Sequence, residues 1–258
     1  MLGPFEKVGT AVYGSINELS SCRGTAAERL LVKEQECAPM PKGLTFEQAA
    51  AIPLAAQTSL QALRDLIHLH AGQRVLILGA SGGVGVYAIQ IAKAFGAHVT
   101  TTSSAKNLAF CRELGADVTL DYAKTDPFAP GAAPYDGIYD VYGNQSFDKA
   151  RLSLTSMGTY VTTVPSKQIF WDAFKTLFTT PRARFVLIKS NTKDLTTLAQ
   201  MVENKQLKPV IDQVFPLEQY LPAFQLLESH HAKGKILIKL CADVKMQNLE
   251  EKKLPSST

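Results

Sequence analysis

The period of apolar residues changes abruptly at one place in this chain. Val75, Leu76, Ile77 and Leu78 form an unbroken apolar run, the pattern of a central parallel strand covered on both faces. From Val84 onward the apolar positions are Val84, Ala88, Ile91, Ala92 and Phe95, the spacing of one buried helix face, with Gly96 marking its end. Between the two lies the glycine-rich stretch Gly79-Ala80-Ser81-Gly82-Gly83-Val84-Gly85. Strand, tight turn and helix therefore follow one another directly.

The same reading extends along the chain. Short alternating runs at 10–13 and 26–32 predict strands. Pro41-Lys42-Gly43 is a turn, and Thr45 is placed to cap a helix through Phe46, Ala49, Ala50 and Ile52 toward Pro53, with a second helix at 59–70. Beyond the central strand, further strands are expected at 98–102, 116–120, 135–141, 159–163 and 184–188, with helical segments between most of them. A helix at 195–202, a strand at 210–215, a helix at 217–227 and a strand at 235–240 complete the pattern. Strands alternating with helices predict an α/β protein, a Rossmann doubly wound parallel sheet. Residues 1 to about 45 are too few for a domain of their own without disulfide or metal staples, so they must lean on the rest of the chain.

Composition narrows the function classes. With 258 residues, 46% of them hydrophobic, the chain can bury a substantial core. A net charge of +4 without a basic cluster interleaved with aromatics argues against nucleic acid and mildly favours an anionic ligand. Cys22, Cys37, Cys111 and Cys241 are scattered without a C-x-x-C pair, so neither a disulfide framework nor a zinc knuckle is expected. His68, His70, His98, His230 and His231 form no ligand constellation with Cys or Glu, and no metal is expected. No apolar stretch is long enough to span a bilayer, and the first residues carry no apolar signal region. The expected location is cytoplasmic, or mitochondrial if a targeting segment precedes Met1.

The glycine turn suggests a chemistry. A helix that opens just after such a turn aims unpaired backbone N–H groups and a positive dipole end at one spot, which suits a pyrophosphate. Ala80-Ser81-Gly82-Gly83-Val84-Gly85 matches the dinucleotide fingerprint G-x-G-x-x-G with alanine in first place. Gly82 would admit the phosphates to the backbone, and Gly85 would let the helix lie close to the strand. An NAD-preferring site carries an acid about 20 residues further on. Here Thr102, Ser103 and Ser104 occupy that region, followed by Lys106, which favours a 2'-phosphate and hence NADPH. The structural alternative is that Ser103 caps the next helix and Lys106 is a solvated charge; a different ligand such as NADH is the other reading.

From Gly9 to about Leu240 these motifs resemble the medium-chain dehydrogenase/reductase superfamily, in its zinc-independent quinone oxidoreductase branch, which includes reticulon-interacting mitochondrial quinone reductase-like members. The matching pieces are Lys7-Val8-Gly9-Thr10-Ala11-Val12-Tyr13-Gly14, Gly24-Thr25-Ala26-Ala27-Glu28, Ala49-Ala50-Ala51-Ile52-Pro53, the cofactor motif at 78–85, Leu114-Gly115-Ala116-Asp117 through Asp121-Tyr122, the strand at 135–143, and His231-Ala232-Lys233-Gly234-Lys235. Thr10 stands where the family usually has Asp. The resemblance implies that Ser81, Gly83, Val84, Ser103, Lys106 and Tyr122 hold the adenosine and phosphate end of NADPH. It also implies Phe185 and Leu187 beside the nicotinamide, and His231, Ala232 and Lys233 closing over the cofactor. The plain alternatives are a packed ring for Tyr122, core strand positions for Phe185 and Leu187, and a solvated helix end for His230 and His231.

The implied reaction is hydride transfer to a small-molecule quinone or activated enone or enal, with no catalytic side chain assigned. Homodimerisation through an edge strand near Phe185 to Ile188 is also implied. Family members carry additional residues ahead of the point matching Gly9, so the expected division is a partial GroES-like catalytic domain at 1–55, a Rossmann domain at 56–204, a return to the catalytic domain at 205–241, and a polar tail at 242–258. Exposed apolar surface is expected where the missing strands would pack. The alternative function is a truncated, catalytically weak NADPH-binding regulatory or interaction protein. Finally, Ile169, Phe170, Trp171, Phe174, Leu177 and Phe178 have helical spacing, expected to cover the sheet or line a substrate entrance, with a membrane-surface or partner-binding helix as the other possibility.

Overall fold

The computed structural model describes residues 8–17, 24–129, 133–230 and 232–240. Strands β1 (Val12–Gly14) and β2 (Cys37–Pro39) pair antiparallel. Helices α1 (Phe46–Ala50) and α2 (Pro53–Gln61) lead into β3 (Arg74–Leu78), α3 (Gly85–Ala94), β4 (His98–Ser103), α4 (Leu108–Glu113) and β5 (Val118–Asp121). There follow β6 (Tyr135–Asp140), α5 (Phe147–Ala150), β7 (Leu154–Thr162), α6 (Lys167–Lys175), β8 (Arg182–Phe185) and α7 (Thr192–Glu203). β9 (Ile211–Pro216), α8 (Tyr220–Glu228) and β10 (Lys235–Lys239) come last, with β9 and β10 paired parallel.

Six strands form one parallel sheet in the order β5-β4-β3-β6-β7-β8. This is the doubly wound order, in which the chain reverses its direction of travel across the sheet between β3 and β6. The continuous apolar run of β3 is explained by helices on both faces. Val75 and Ile77 enter one core cluster with Ile89, Leu60 and Leu195, whereas Leu76 and Leu78 enter the other with Ile138, Tyr160 and Ala183.

Residues ahead of 45 do lean on the sheet's helical layer. The Tyr13 hydroxyl donates to the Leu195 carbonyl of α7 at 2.6 Å, and Ser15 Oγ lies 3.1 Å from Ser190 Oγ. Gln57 of α2 joins them, its Nε2 donating to both serine hydroxyls. Helix α2 is buried on nearly every side, as a helix must be when a sheet lies on one flank and β1–β2 on the other.

Several elements differ from the sequence expectation for identifiable reasons. Pro53 opens α2 rather than closing α1, because proline at the first helical position loses no hydrogen bond; the helix expected at 59–70 thus starts earlier. It ends in a wider turn over Ala62–Leu66, where Ile67 N–H reaches back to the Ala62 carbonyl. Residues 26–32 form no strand: among the described residues no strand pairs with them, and Leu31 is 89% exposed. β8 stops at Phe185 instead of continuing to 188. Its continuation is captured by side-chain amides, with Lys189 N–H bonded to Gln61, Ser190 N–H to Asn17 and Asn191 N–H to Gln57. α6 turns Ile169 and Asp172 to the sheet, while Trp171, Phe174 and Phe178 face outward; the aromatic stripe is therefore not the sheet-covering face. The expected tail at 242–258, Cys22 and Cys241 lie outside the described residues. Exposed apolar side chains do gather along α8, where Tyr220, Leu221, Phe224 and Leu227 are each about half exposed.

One buried charge ties the layers together. Asp194, 1% exposed, accepts from Arg64 Nη1 (2.6 Å), Gln61 Nε2 (2.8 Å) and Asn191 Nδ2 (2.9 Å). Burial alone would raise its pKa, but Arg64, Gln61 and Asn191 together hold it below the usual carboxylate value. A depressed folded-state pKa contributes stability above the unfolded value of about 3.9, and this is lost as the pH falls through the folded value. Asp194→Asn should be about 1–2 kcal/mol less stable at pH 7, a modest figure because Arg64 is partly exposed. Its urea midpoint should fall less steeply than wild type below about pH 4; parallel acid limbs would contradict the assignment.

Candidate functional site

The site is built where β3 ends. Gly79 has φ +74°, a left-handed conformation suited to glycine. Ala80 N–H then donates to the Thr102 carbonyl at 3.1 Å, drawing the turn over the end of β4. At Gly85 a Cβ would lie 2.6 Å from Ala80 Cα and from the carbonyl oxygens of Ala80 and Gly79. Only glycine lets α3 approach the strand this closely. A Cβ on Gly82 would meet nothing nearer than the Gly79 carbonyl at 3.5 Å, so this part of the turn is open to a ligand.

A second segment lies across the turn. Gly82 and Gly234 form a parallel bridge, and Gly234 N–H donates to the Ser81 carbonyl at 3.1 Å. The Lys235 side chain runs beside Gly83, and burial lowers its pKa. The start of β10 is thereby fixed against the glycines.

The carboxyl ends of the strands enclose a cavity of about 770 Å³, whose walls include Ser81, Gly82, Ser103, Lys106, Tyr122 and Ala232. An adjoining cavity of about 460 Å³ is lined by Gly83, Val84, Val141, Tyr142, Phe224 and Leu227, among others. Ser103 is buried at the end of β4, Lys106 is exposed, and Tyr122 is 65% exposed just past β5. Thus Ser81, Gly82, Gly83, Val84, Ser103, Lys106, Tyr122 and Ala232 come together around two connected hollows, with Gly85 packed beneath. Phe185 and Leu187 line neither hollow: Phe185 packs edge-on against Phe170 at 4.5 Å, and Leu187 is more than half exposed. Lys233 is exposed on the closing segment, and His231 lies outside the described residues.

The structure adds residues that the pattern of the chain did not single out. Asp140, fully buried at the end of β6, accepts from Gly143 N–H (2.7 Å), Gln145 N–H (3.0 Å) and the Tyr160 hydroxyl (2.9 Å). It shapes the loop that places Tyr142 and Asn144 in the wall of the larger cavity. Burial, reinforced by Asp140, raises the Tyr160 pKa, so the phenol stays a donor. Tyr142 in turn packs edge-on against His230 at 5.8 Å. An aspartate at the end of a strand, three residues before a glycine, was the available signal for this loop.

A dinucleotide fits these residues. The open Gly82, the hydroxyls of Ser81 and Ser103, and Lys106 suit phosphate groups, at the switch point where doubly wound sheets take such ligands. Asp126, an acid in the cavity wall, is paired with Lys149 at 3.3 Å. Among the described residues no group of three or more His, Cys, Asp or Glu side chains is placed to hold a metal ion, and no helix is long and apolar enough to cross a membrane.

Fold and site together fit an oxidoreductase that uses a nicotinamide cofactor. Comparison with known proteins agrees: the family described as zinc-binding dehydrogenase matches residues 114–238. The trans-enoyl reductase pgmF of Aspergillus terreus is 32% identical over 253 residues, covering 91% of this chain and 70% of that protein. The human mitochondrial NAD(P)H oxidoreductase RTN4IP1 is 34% identical, covering 84% of this chain and 61% of that protein. A solved quinone oxidoreductase from Coxiella burnetii superposes with a TM-score of 0.74 at 31% identity, covering 81% of this chain and 66% of that one. The chain belongs to the medium-chain dehydrogenase/reductase superfamily, and it spans about two thirds of the length of these relatives.

Gly85→Ala tests the close approach at the turn. Its added methyl meets backbone, which cannot swing aside, so we expect a loss of about 1–3 kcal/mol. That corresponds to a fall in melting temperature of about 2–10 °C. An unchanged melting temperature would show that the helix tolerates a shift away from β3.

Proposed function

We propose that this protein is an NADPH-dependent reductase that transfers a hydride to a quinone or an activated enone or enal without zinc. The observation that carries the reading is the end of β4, where Ser103, Ser104 and Lys106 border the cavity in place of the acid of an NAD site. Hydroxyl donors and a cation complement a 2'-phosphate, which a carboxylate would repel. The names of the relatives, an enoyl reductase, an NAD(P)H oxidoreductase and a quinone oxidoreductase, point to the same reaction class.

In this reading Ser81, Gly82, Gly83, Val84 and Gly85 form the pyrophosphate cradle, Ser103 and Lys106 take the 2'-phosphate, and Tyr122 lies against the adenosine. Phe185, which ends β8, and Leu187, just beyond it, line neither hollow but lie on the same carboxyl edge of the sheet, and the family resemblance assigns them to the nicotinamide side. His231, Ala232 and Lys233 close the cradle. When bound, the cofactor supplies the hydride; the protein contributes orientation and a sheltered apolar hollow beside Val84 and Tyr142. Solvent supplies the proton that completes reduction of the acceptor. Residues 1–55 and 205–241 act as a partial GroES-like domain beside the Rossmann unit at 56–204. Among the described residues β8 pairs only with β7, and its other edge is the surface through which two copies would join.

NADPH oxidation should accelerate with a panel of quinones and enals. Lys106→Ala should weaken NADPH binding about tenfold or more, the loss of a charge-assisted contact, and leave NADH binding unchanged. Tight NADPH binding without turnover would instead favour the regulatory alternative. Equal losses for both nucleotides would contradict the 2'-phosphate assignment.

A further inference from the structure

Asn107 sits just beyond Lys106, in the turn that joins β4 to α4, and is 5% exposed. Its Nδ2 donates to Ser81 Oγ at 3.0 Å, linking the end of the second strand to the glycine turn, and both residues border the larger cavity. Its Oδ1 is buried and has no hydrogen-bond partner among the described residues. A buried amide with half of its capacity unmet is destabilising, and a leucine of similar size would avoid that cost. Packing therefore does not account for an asparagine here, whereas its contact with Ser81 does.

The sense of that contact matters. In accepting from Asn107, Ser81 Oγ turns one lone pair toward the amide, and its own proton must point elsewhere. Among the described residues that proton has no acceptor, since the hydrogen bond from Asn107 is the one the Ser81 hydroxyl makes. The Ser81 backbone is meanwhile held by Gly234 N–H at its carbonyl. A hydroxyl fixed at its backbone and at its oxygen, with a free proton in a cavity wall, is a preset donor for an anionic oxygen.

We propose that Asn107 is a positioning residue that orients the Ser81 hydroxyl to donate to a phosphate oxygen of the bound dinucleotide. The proposal rests on the assignment of this cavity to NADPH. The contact is made to the glycine turn, so it serves the pyrophosphate that NADPH and NADH share, unlike Lys106, which serves the 2'-phosphate. Asn107 and Lys106, adjacent in sequence, thus divide affinity from selectivity.

The test is a double-mutant cycle read by nicotinamide fluorescence titration on the intact chain, with NADPH and NADH as probes. Ser81→Ala should raise the Kd for both nucleotides about tenfold, and Asn107→Leu about three- to tenfold. In the Ser81→Ala background Asn107→Leu should change Kd by less than about twofold, because its effect passes through the serine. Melting of Asn107→Leu without nucleotide should match or exceed wild type, since the orphan acceptor is gone. If that variant melts lower, Asn107→Ala takes its place in the cycle. Losses that multiply across the cycle, or an Asn107 variant that binds like wild type while Ser81→Ala is impaired, would overturn the proposal. Failure of the wild type to bind NADPH would overturn the NADPH assignment itself, a separate outcome.

Discussion

The contact of Gly85 with the backbone of Gly79 and Ala80 governs the geometry of the site. Because a Cβ at Gly85 would lie 2.6 Å from that backbone and glycine carries none, α3 begins directly against the end of β3. The N-terminal end of α3, with its positive dipole end, therefore opens onto the carboxyl edge of the sheet, where the strand order reverses. The buried run of Val75 to Leu78, divided between two core clusters, anchors the strand from both faces. The turn is thus held in a rigid frame, a condition for a loop whose task is to present backbone to a ligand.

Around this frame the other walls are set by buried polar groups. Asp140 organises the loop after β6, Asn107 connects β4 to the glycine turn, and Gly234 ties the closing segment to Ser81. Farther away, Gln57, Gln61 and Asn17 hold the chain after β8, and Asp194 clamps the same region to Arg64. Asp140, Gln57, Gln61 and Asn17 accept from backbone N–H groups, whereas Asn107 and Asp194 bind other side chains. Their removal would affect the placement of walls before it affected the sheet.

Much of this was legible from residue pattern. A strand, a glycine turn and a helix in immediate succession have a single common solution, and alternation of strands with helices limits the sheet to parallel topologies. Ser81, Ser103, Lys106 and Tyr122, from the ends of three strands, meet around one cavity because parallel strands deliver all their carboxyl ends to one edge. Features that depend on a distant partner were not legible. Residues 26–32 alternate like a strand but, among the described residues, join no sheet; beyond β8, amide side chains from α2 and residue 17 hold the chain at 189–191. Of the aromatic stripe of α6, Phe170 packs on Phe185 of the edge strand, while Trp171 and Phe174 face outward. Asn107 has no local signature, because its role lies in a contact with Ser81, 26 positions away.

The assignment of the cradle to NADPH is tested most directly by thermal unfolding of the intact chain with increasing NADPH, and in parallel with NADH. A ligand that binds only the folded state adds about 2.7 kcal/mol at one hundred times its Kd, roughly 5–10 °C for a chain of this size. The expected result is a saturable rise in melting temperature that appears at lower NADPH than NADH concentration. No shift with NADPH, or an equal shift at equal concentrations of the two nucleotides, would contradict it.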